Sequence, residues 1–132
     1  MALIVAVEDQ VDIRDILVRV LKRAGHTVVE AADGAAGLQA VRKHQPDLVI
    51  SDIDMPVMSG VEMSQAIRRD PESGKLPVIF VSGSLTPGDP RPVQGQVTAV
   101  LLKPFTPKEL LACVEKVLAG EYGDGREPAA CP

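Results

Sequence analysis

Four short apolar runs, at residues 3–7, 48–51, 77–81 and 98–102, and a run rich in β-branched residues at 27–31 punctuate the chain. Each is too short for a helix and the right length for a buried strand. Between them lie stretches with apolar residues three and four apart, the spacing of an amphipathic helix. The first such stretch carries Ile13, Ile16, Leu17, Val20 and Leu21. Asp9 or Asp12 is expected to cap its start, and Gly25 to stop it. Further helices are expected ending near His44, over residues 61–69 and from Pro107 to Gly120. For the last, Thr106 is the expected N-cap and Pro107 the first helical residue. Strands alternating with helices predict a doubly wound α/β domain, a five-stranded parallel sheet with a helical layer on each face.

One connection breaks the pattern. Parallel strands need a crossover, usually helical. Residues 85–95 contain Pro87, Pro90 and Pro92 together with Gly88 and Gly95. An interior proline costs a helix about 3 kcal/mol. The fourth helix is therefore expected to be irregular, or shortened to one or two turns.

A chain of 132 residues suits one domain. Residues 1–120 are expected to form it, with residues 121–132 a flexible tail or linker stub. A net charge of −4 argues against a direct nucleic-acid binder, which needs clustered Lys and Arg. No apolar run has the length for membrane insertion. The two cysteines, Cys113 and Cys131, have neither metal spacing nor a disulfide framework. Cys113 reads as a core thiol and Cys131 as part of a polar tail. That usage predicts a reducing, cytoplasmic location.

The strand ends carry the chemistry. In an open parallel sheet, ligands bind just outside the carboxyl ends of the strands. The first run ends in Glu8-Asp9, the third in Asp52, the fourth in Ser82 and the fifth in Lys103. A carboxylate pair where a dinucleotide fold needs glycines would repel a pyrophosphate. Three neighbouring carboxylates raise one another's pKa, and a divalent cation relieves that repulsion. Mg²⁺ prefers carboxylate oxygens and commonly shares its site with phosphate. Lys103 adds a positive point charge and Ser82 a hydroxyl donor. The set suits in-line transfer of a phosphoryl group onto a carboxylate.

Taken singly these signals are weak. Asp is a common turn residue, and a lone Lys or loop Ser is normally solvated. Their joint placement, each at the end of a different strand, is what raises them above that background.

The motifs Val7-Glu8-Asp9, Asp52-Ile53-Asp54-Met55-Pro56 through Gly60, Pro77 through Gly83, and Lys103-Pro104-Phe105 resemble the receiver domain of two-component response regulators. The resemblance covers residues 2–119. It implies the flavodoxin-like strand order 2-1-3-4-5. It implies that Asp52 accepts a phosphoryl group from a histidine kinase or a histidine phosphotransfer protein. It implies that Asp9 and Asp52 bind Mg²⁺, that Glu8 helps through water, and that the backbone carbonyl of Asp54 is a further ligand. Ser82 would hydrogen-bond the phosphoryl group and Lys103 would pair with it, beside a cis Lys103-Pro104 bond. The surface near the fourth and fifth strands would then repack for a downstream partner. Residues 85–97 are expected to be mobile before phosphorylation and partly ordered after it.

The chain departs from the family at two positions. Val100 stands where an aromatic switch residue is usual, and Gly83 where alanine is usual. The family's dimerisation mode is not carried over, and a monomer or weak dimer is expected. Two rival readings stand beside this one. The first is a degenerate receiver acting as a phosphorylation-independent interaction module. The second is an aspartyl-phosphate phosphohydrolase, suggested by Asp52-Ile53-Asp54. Neither a cap domain nor that class's usual motif placement accompanies it. The receiver reading makes the domain a phosphoacceptor, with self-catalysed phosphoryl acceptance and slow autodephosphorylation, rather than an enzyme.

Overall fold

The computed structural model describes residues 1–122 and 128–131. Strands β1 (Leu3–Val7), β2 (Thr27–Ala31), β3 (Leu48–Ser51), β4 (Val78–Ser82) and β5 (Ala99–Leu102) alternate with helices α1 (Val11–Arg23), α2 (Gly34–His44), α3 (Gly60–Arg69), α4 (Arg91–Gln94) and α5 (Pro107–Leu118). A two-residue strand β6 (Ala129–Ala130) follows α5. All pairings are parallel, in the order β2-β1-β3-β4-β5-β6. The flavodoxin-like order expected from the sequence is present, with one strand added at its edge.

The inner strands β1, β3 and β4 are buried on both faces, since their alternate residues point to opposite sides and both sides are covered. Ile4, Leu48, Ile50, Ile79 and Val81 face Leu17 and Leu21 of α1 and Leu110 and Val114 of α5. Val5, Val7, Val49, Val78 and Phe80 face Leu38 of α2 and Met63 and Ile67 of α3. That is why these inner strands read as continuous apolar runs rather than alternating ones.

Helix ends follow local chemistry. Ser59 caps α3 and Thr106 caps α5, each in a reciprocal capping box with Glu62 and Glu109 respectively. Asp33 caps α2 through Ala36 N–H. At α1 the expectation fails. Gln10 is the N-cap, with no side-chain cap bond, and Asp12 lies in the first turn. Asp9 is drawn instead into the group of carboxylates at the strand ends.

Helix α4 is the shortened one, four residues long with Pro92 in its first turn. Helix α3 anchors its end. Ser64 Oγ donates to the Gly95 carbonyl (2.6 Å), Gln65 Nε2 to that of Gln94 (3.1 Å) and Arg68 Nε to that of Gln96 (3.0 Å). These side chains satisfy carbonyls that a longer helix would have satisfied itself. The end of the 85–97 segment is thus hydrogen-bonded to α3.

The cysteine reading is corrected. Cys113 and Cys131 form a disulfide, with Cα atoms 5.4 Å apart. Their separation of 18 residues carries no framework signature; the chain must first double back along β5 to bring them together. They accordingly cease to argue for a reducing compartment. Residues 128–131 pair with β5 rather than forming a free tail, while residues 123–127 and 132 of that expected tail lie outside the described residues.

Candidate functional site

The carboxyl ends of β1 and β3 lie side by side because these strands are neighbours in register, with Val7 opposite Ser51. Asp52 N–H donates to the Val7 carbonyl at 3.1 Å, locking the two strand ends together. Glu8, Asp9 and Asp52 follow directly, and each brings a carboxylate oxygen within 4.8 Å of the others. Lys103 enters from the end of β5. Its Nζ lies 2.9 Å from Glu8 Oε1 and 3.8 Å from Asp52 Oδ2. The Lys103-Pro104 bond is cis, as the resemblance implied.

Glu8 is buried at 1% exposure, whereas the Asp52 side chain retains 14%. Burial pushes the Glu8 carboxyl above its ordinary value, the Lys103 hydrogen bond opposes this, and the Asp52 charge adds to it. Three carboxylates therefore face one ammonium. The donor set is all oxygen and negatively charged, which fits a hard divalent cation such as Mg²⁺.

The Asp52–Gly60 connection is shaped by close backbone approach. A Cβ on Gly60 would run into the Asp52 carbonyl oxygen. Gly60 N–H instead donates to the Ile53 carbonyl at 2.8 Å. Val57 has φ +70°, and Met58 N–H donates to the Pro56 carbonyl at 2.7 Å. This is a γ-turn on a β-branched residue, a strained arrangement. The Met58 carbonyl in turn accepts from Gly34 N–H of α2. One strained turn thus ties the acceptor loop to the neighbouring helix.

Ser82, at the end of β4, is 1% exposed. Its Oγ accepts from Ser84 N–H and lies 3.1 Å from Ser84 Oγ. The Asp54 side chain points away from the carboxylate group, toward a cluster that sequence reasoning missed. Arg91 reaches Asp89 Oδ2 (2.9 Å), Asp54 Oδ1 (3.2 Å) and Ser84 Oγ (3.2 Å), and Ser84 Oγ donates to Asp54 Oδ2. A single arginine in a proline-rich segment carries no motif, so only the folded chain reveals this cluster.

The Arg91 hydrogen bonds hold the Asp89 carboxyl below its ordinary value of 3.8. A depressed carboxylate stabilises the fold above its unfolded pKa, and that contribution fades as pH falls through the folded pKa. An NMR titration of Asp89 is expected to show this depressed value, and Arg91→Ala to return it to the ordinary range. An Asp89 that titrates identically in both proteins would break the assignment.

With this geometry in view, residues 4–115 match the model of the response regulator receiver domain. The chain belongs to that family. Protein PilH of Pseudomonas aeruginosa is 32% identical over 91% of this chain and 100% of its own length. Response regulator Rre1 of Synechocystis is 37% identical over 86% of this chain and 50% of its own. In three dimensions this receiver domain is similar to chemotaxis response regulator CheY4 of Vibrio cholerae, with a TM-score of 0.84 and 34% identity over 89% of this chain and 98% of that one. The chain spans about half the length of several curated relatives it matches. As a receiver domain it is a signalling domain of two-component systems, with an acidic pocket at Glu8, Asp9 and Asp52. Among the described residues no helix is long and apolar enough to cross a membrane.

Proposed function

We propose that this receiver domain is the phosphoacceptor of a two-component phosphorelay, with Asp52 as the residue modified. The observation that carries the proposal is the meeting of three carboxylates within 4.8 Å with the Lys103 ammonium 3.8 Å from Asp52. Asp52 Oδ2 attacks the phosphorus in line as the bond to the donor breaks. The donor is a phosphohistidine of a histidine kinase or of a histidine phosphotransfer protein, and its imidazole leaves. Lys103 exchanges its contact with Glu8 for the phosphoryl oxygens, while the Ser82 hydroxyl turns toward them. Glu8, Asp9, Asp52 and the backbone carbonyl of Asp54 would hold Mg²⁺. When bound, the ion neutralises charge on the transferring group. Hydrolysis of the acyl phosphate is slow and self-catalysed, so the domain acts as a switch rather than an enzyme on a free substrate. We assign it to the cytoplasm, as a monomer or weak dimer that signals to a protein partner.

Phosphorylation adds about −1.5 to −2 charge and three acceptor oxygens beside Ser82. The surface near β4 and β5 then repacks for that partner. Val100 is not aromatic, so ring rotation cannot carry the signal. The Ser82–Ser84–Arg91 contacts offer a polar route to α4 instead. Intact mass after incubation with acetyl phosphate and Mg²⁺ tests the reading. One added phosphoryl group is expected, and none with a chelator present. No adduct from acetyl phosphate or from a phosphohistidine donor would leave a phosphorylation-independent interaction module in its place.

A further inference from the structure

The C-terminal strand is held in an unusual way. Ala129 N–H donates to the Thr98 carbonyl at 3.0 Å and Cys131 N–H to that of Val100 at 2.8 Å. The pairing is two residues long and its side chains are alanines. So short a strand buries little surface and is marginal by itself. Its tether is the bond from Cys131 to Cys113 on α5. The two sulfurs are unequal. Cys113 is fully buried beside Leu110, Val114 and Val117, whereas Cys131 is only partly buried. Cys131 is therefore the more accessible of the two residues to an incoming thiolate.

We propose that the Cys113–Cys131 bond is a reversible redox modification site for dithiol reductants, and that its state decides whether residues 128–131 cap the edge of β5. A reductant thiolate attacks Cys131 Sγ and forms a mixed disulfide there. The Cys113–Cys131 bond breaks, and Cys113 leaves as a thiolate and takes up a proton. The second thiol of the reductant then attacks the reductant's own sulfur in the mixed disulfide. Cys131 is released and protonated, and the reductant departs as a disulfide. Two electrons and two protons have passed from the dithiol to the two cysteines. The reverse sequence, with a disulfide of the same class, restores the bond. In reducing compartments, disulfides that do form are typically transient and redox-sensing.

The consequence lies at the sheet edge. With the tether cut, Cys113 remains in the core as a small apolar thiol. The outer edge of Ala99–Leu102 then presents unpaired backbone groups, which template the addition of another strand. Residues 128–131 also form one wall of a groove of about 620 Å³ lined by Val93, Val100 and Leu102. Departure of that wall opens the groove. None of these steps involves Asp52, so the redox site stands or falls apart from the phosphorelay reading.

The test is amide exchange read by NMR on the full chain, oxidised and then reduced with dithiothreitol, with thiol counts from intact mass after maleimide labelling. The oxidised protein is expected to label at neither cysteine. On reduction, native labelling is expected at Cys131 well before Cys113. Exchange at the Ala129 and Cys131 amides is expected to rise about a hundredfold. The amides of Val5 and Ile50 should stay protected. Cys131→Ser leaves the buried Cys113 in place, and it should match the reduced protein in either buffer. Two free thiols under oxidising conditions would overturn the proposal. So would unchanged protection of Ala129 after reduction, since the ladder alone would then hold the strand.

Discussion

Asp52→Asn is expected to take up no phosphoryl group from acetyl phosphate and Mg²⁺, with its fold unchanged. The fold survives because Asp52 Oδ1 accepts from Ile53 N–H at 2.8 Å, and an amide oxygen can still accept there. The chemistry does not survive, because an amide is no nucleophile toward phosphorus and supplies no charged oxygen to a cation. Asp54→Asn, which leaves the backbone carbonyl in place and alters only contacts with Arg91 and Ser84, should still be modified. Intact mass distinguishes the two variants, and an adduct on Asp52→Asn would place the acceptor elsewhere.

The same variant has a signature in stability. Burial first, and the Asp52 charge as a lesser cause, raise the Glu8 carboxyl above its ordinary 4.5. A carboxyl raised on folding binds more protons in the native state, so stability falls as pH rises from the unfolded pKa through the folded one. Metal-free protein is therefore expected to melt lower above that window than below it. Asp52→Asn should shrink the fall by removing one of the opposing charges. Thermal melts across pH 4–8 with a chelator present measure this. An undiminished fall would mean that burial alone sets the Glu8 shift.

Phe80→Ala is expected to destabilise the domain by about 3–5 kcal/mol, the usual range for emptying a fully buried aromatic site. Phe80 is in the middle of β4, fully buried, on the face covered by Met63, Ile67 and Val97. A Cβ built on Gly95 would lie 3.0 Å from Phe80 Cζ, so the ring presses against the backbone where α4 ends. The shortened helix has few apolar contacts of its own, and this ring is its floor. Against a typical stability of about 5–15 kcal/mol, the loss is large. Urea unfolding should show a lower midpoint with an unchanged slope. A loss below about 1 kcal/mol would mean that the segment around α4 collapses into the vacated space.

Much of this protein could be read from its residues in order. Apolar runs bounded by polar strand ends require a sheet buried on both faces, because only strands hide so short a run completely. Thr106-Pro107 required a helix start, since a capping hydroxyl and a proline with no N–H to lose both favour it. Pro87, Pro90 and Pro92 forbade a regular fourth helix. The acidic residues after β1 and β3 and the lysine after β5 could be placed at one edge because parallel strands deliver their carboxyl ends together.

Tertiary structure decided what depends on distance through space. Asp9 was as good a cap as Asp12 by composition, yet the register of β1 with β3 draws it to Glu8 and Asp52. Arg91 is the centre of a four-residue cluster only because the fold sets the start of α4 beside Asp54 and the loop after β4, which no local pattern encodes. Val57 adopts a left-handed conformation that its own side chain disfavours, because the close approach at Gly60 and the bond to Gly34 over-determine it. Cys113 and Cys131 meet only because the chain returns beside β5. Local propensity and periodicity are properties of neighbours in sequence, so they fixed elements and strand ends. Pairings between residues far apart in the chain belong to packing, and the folded sheet alone could make them.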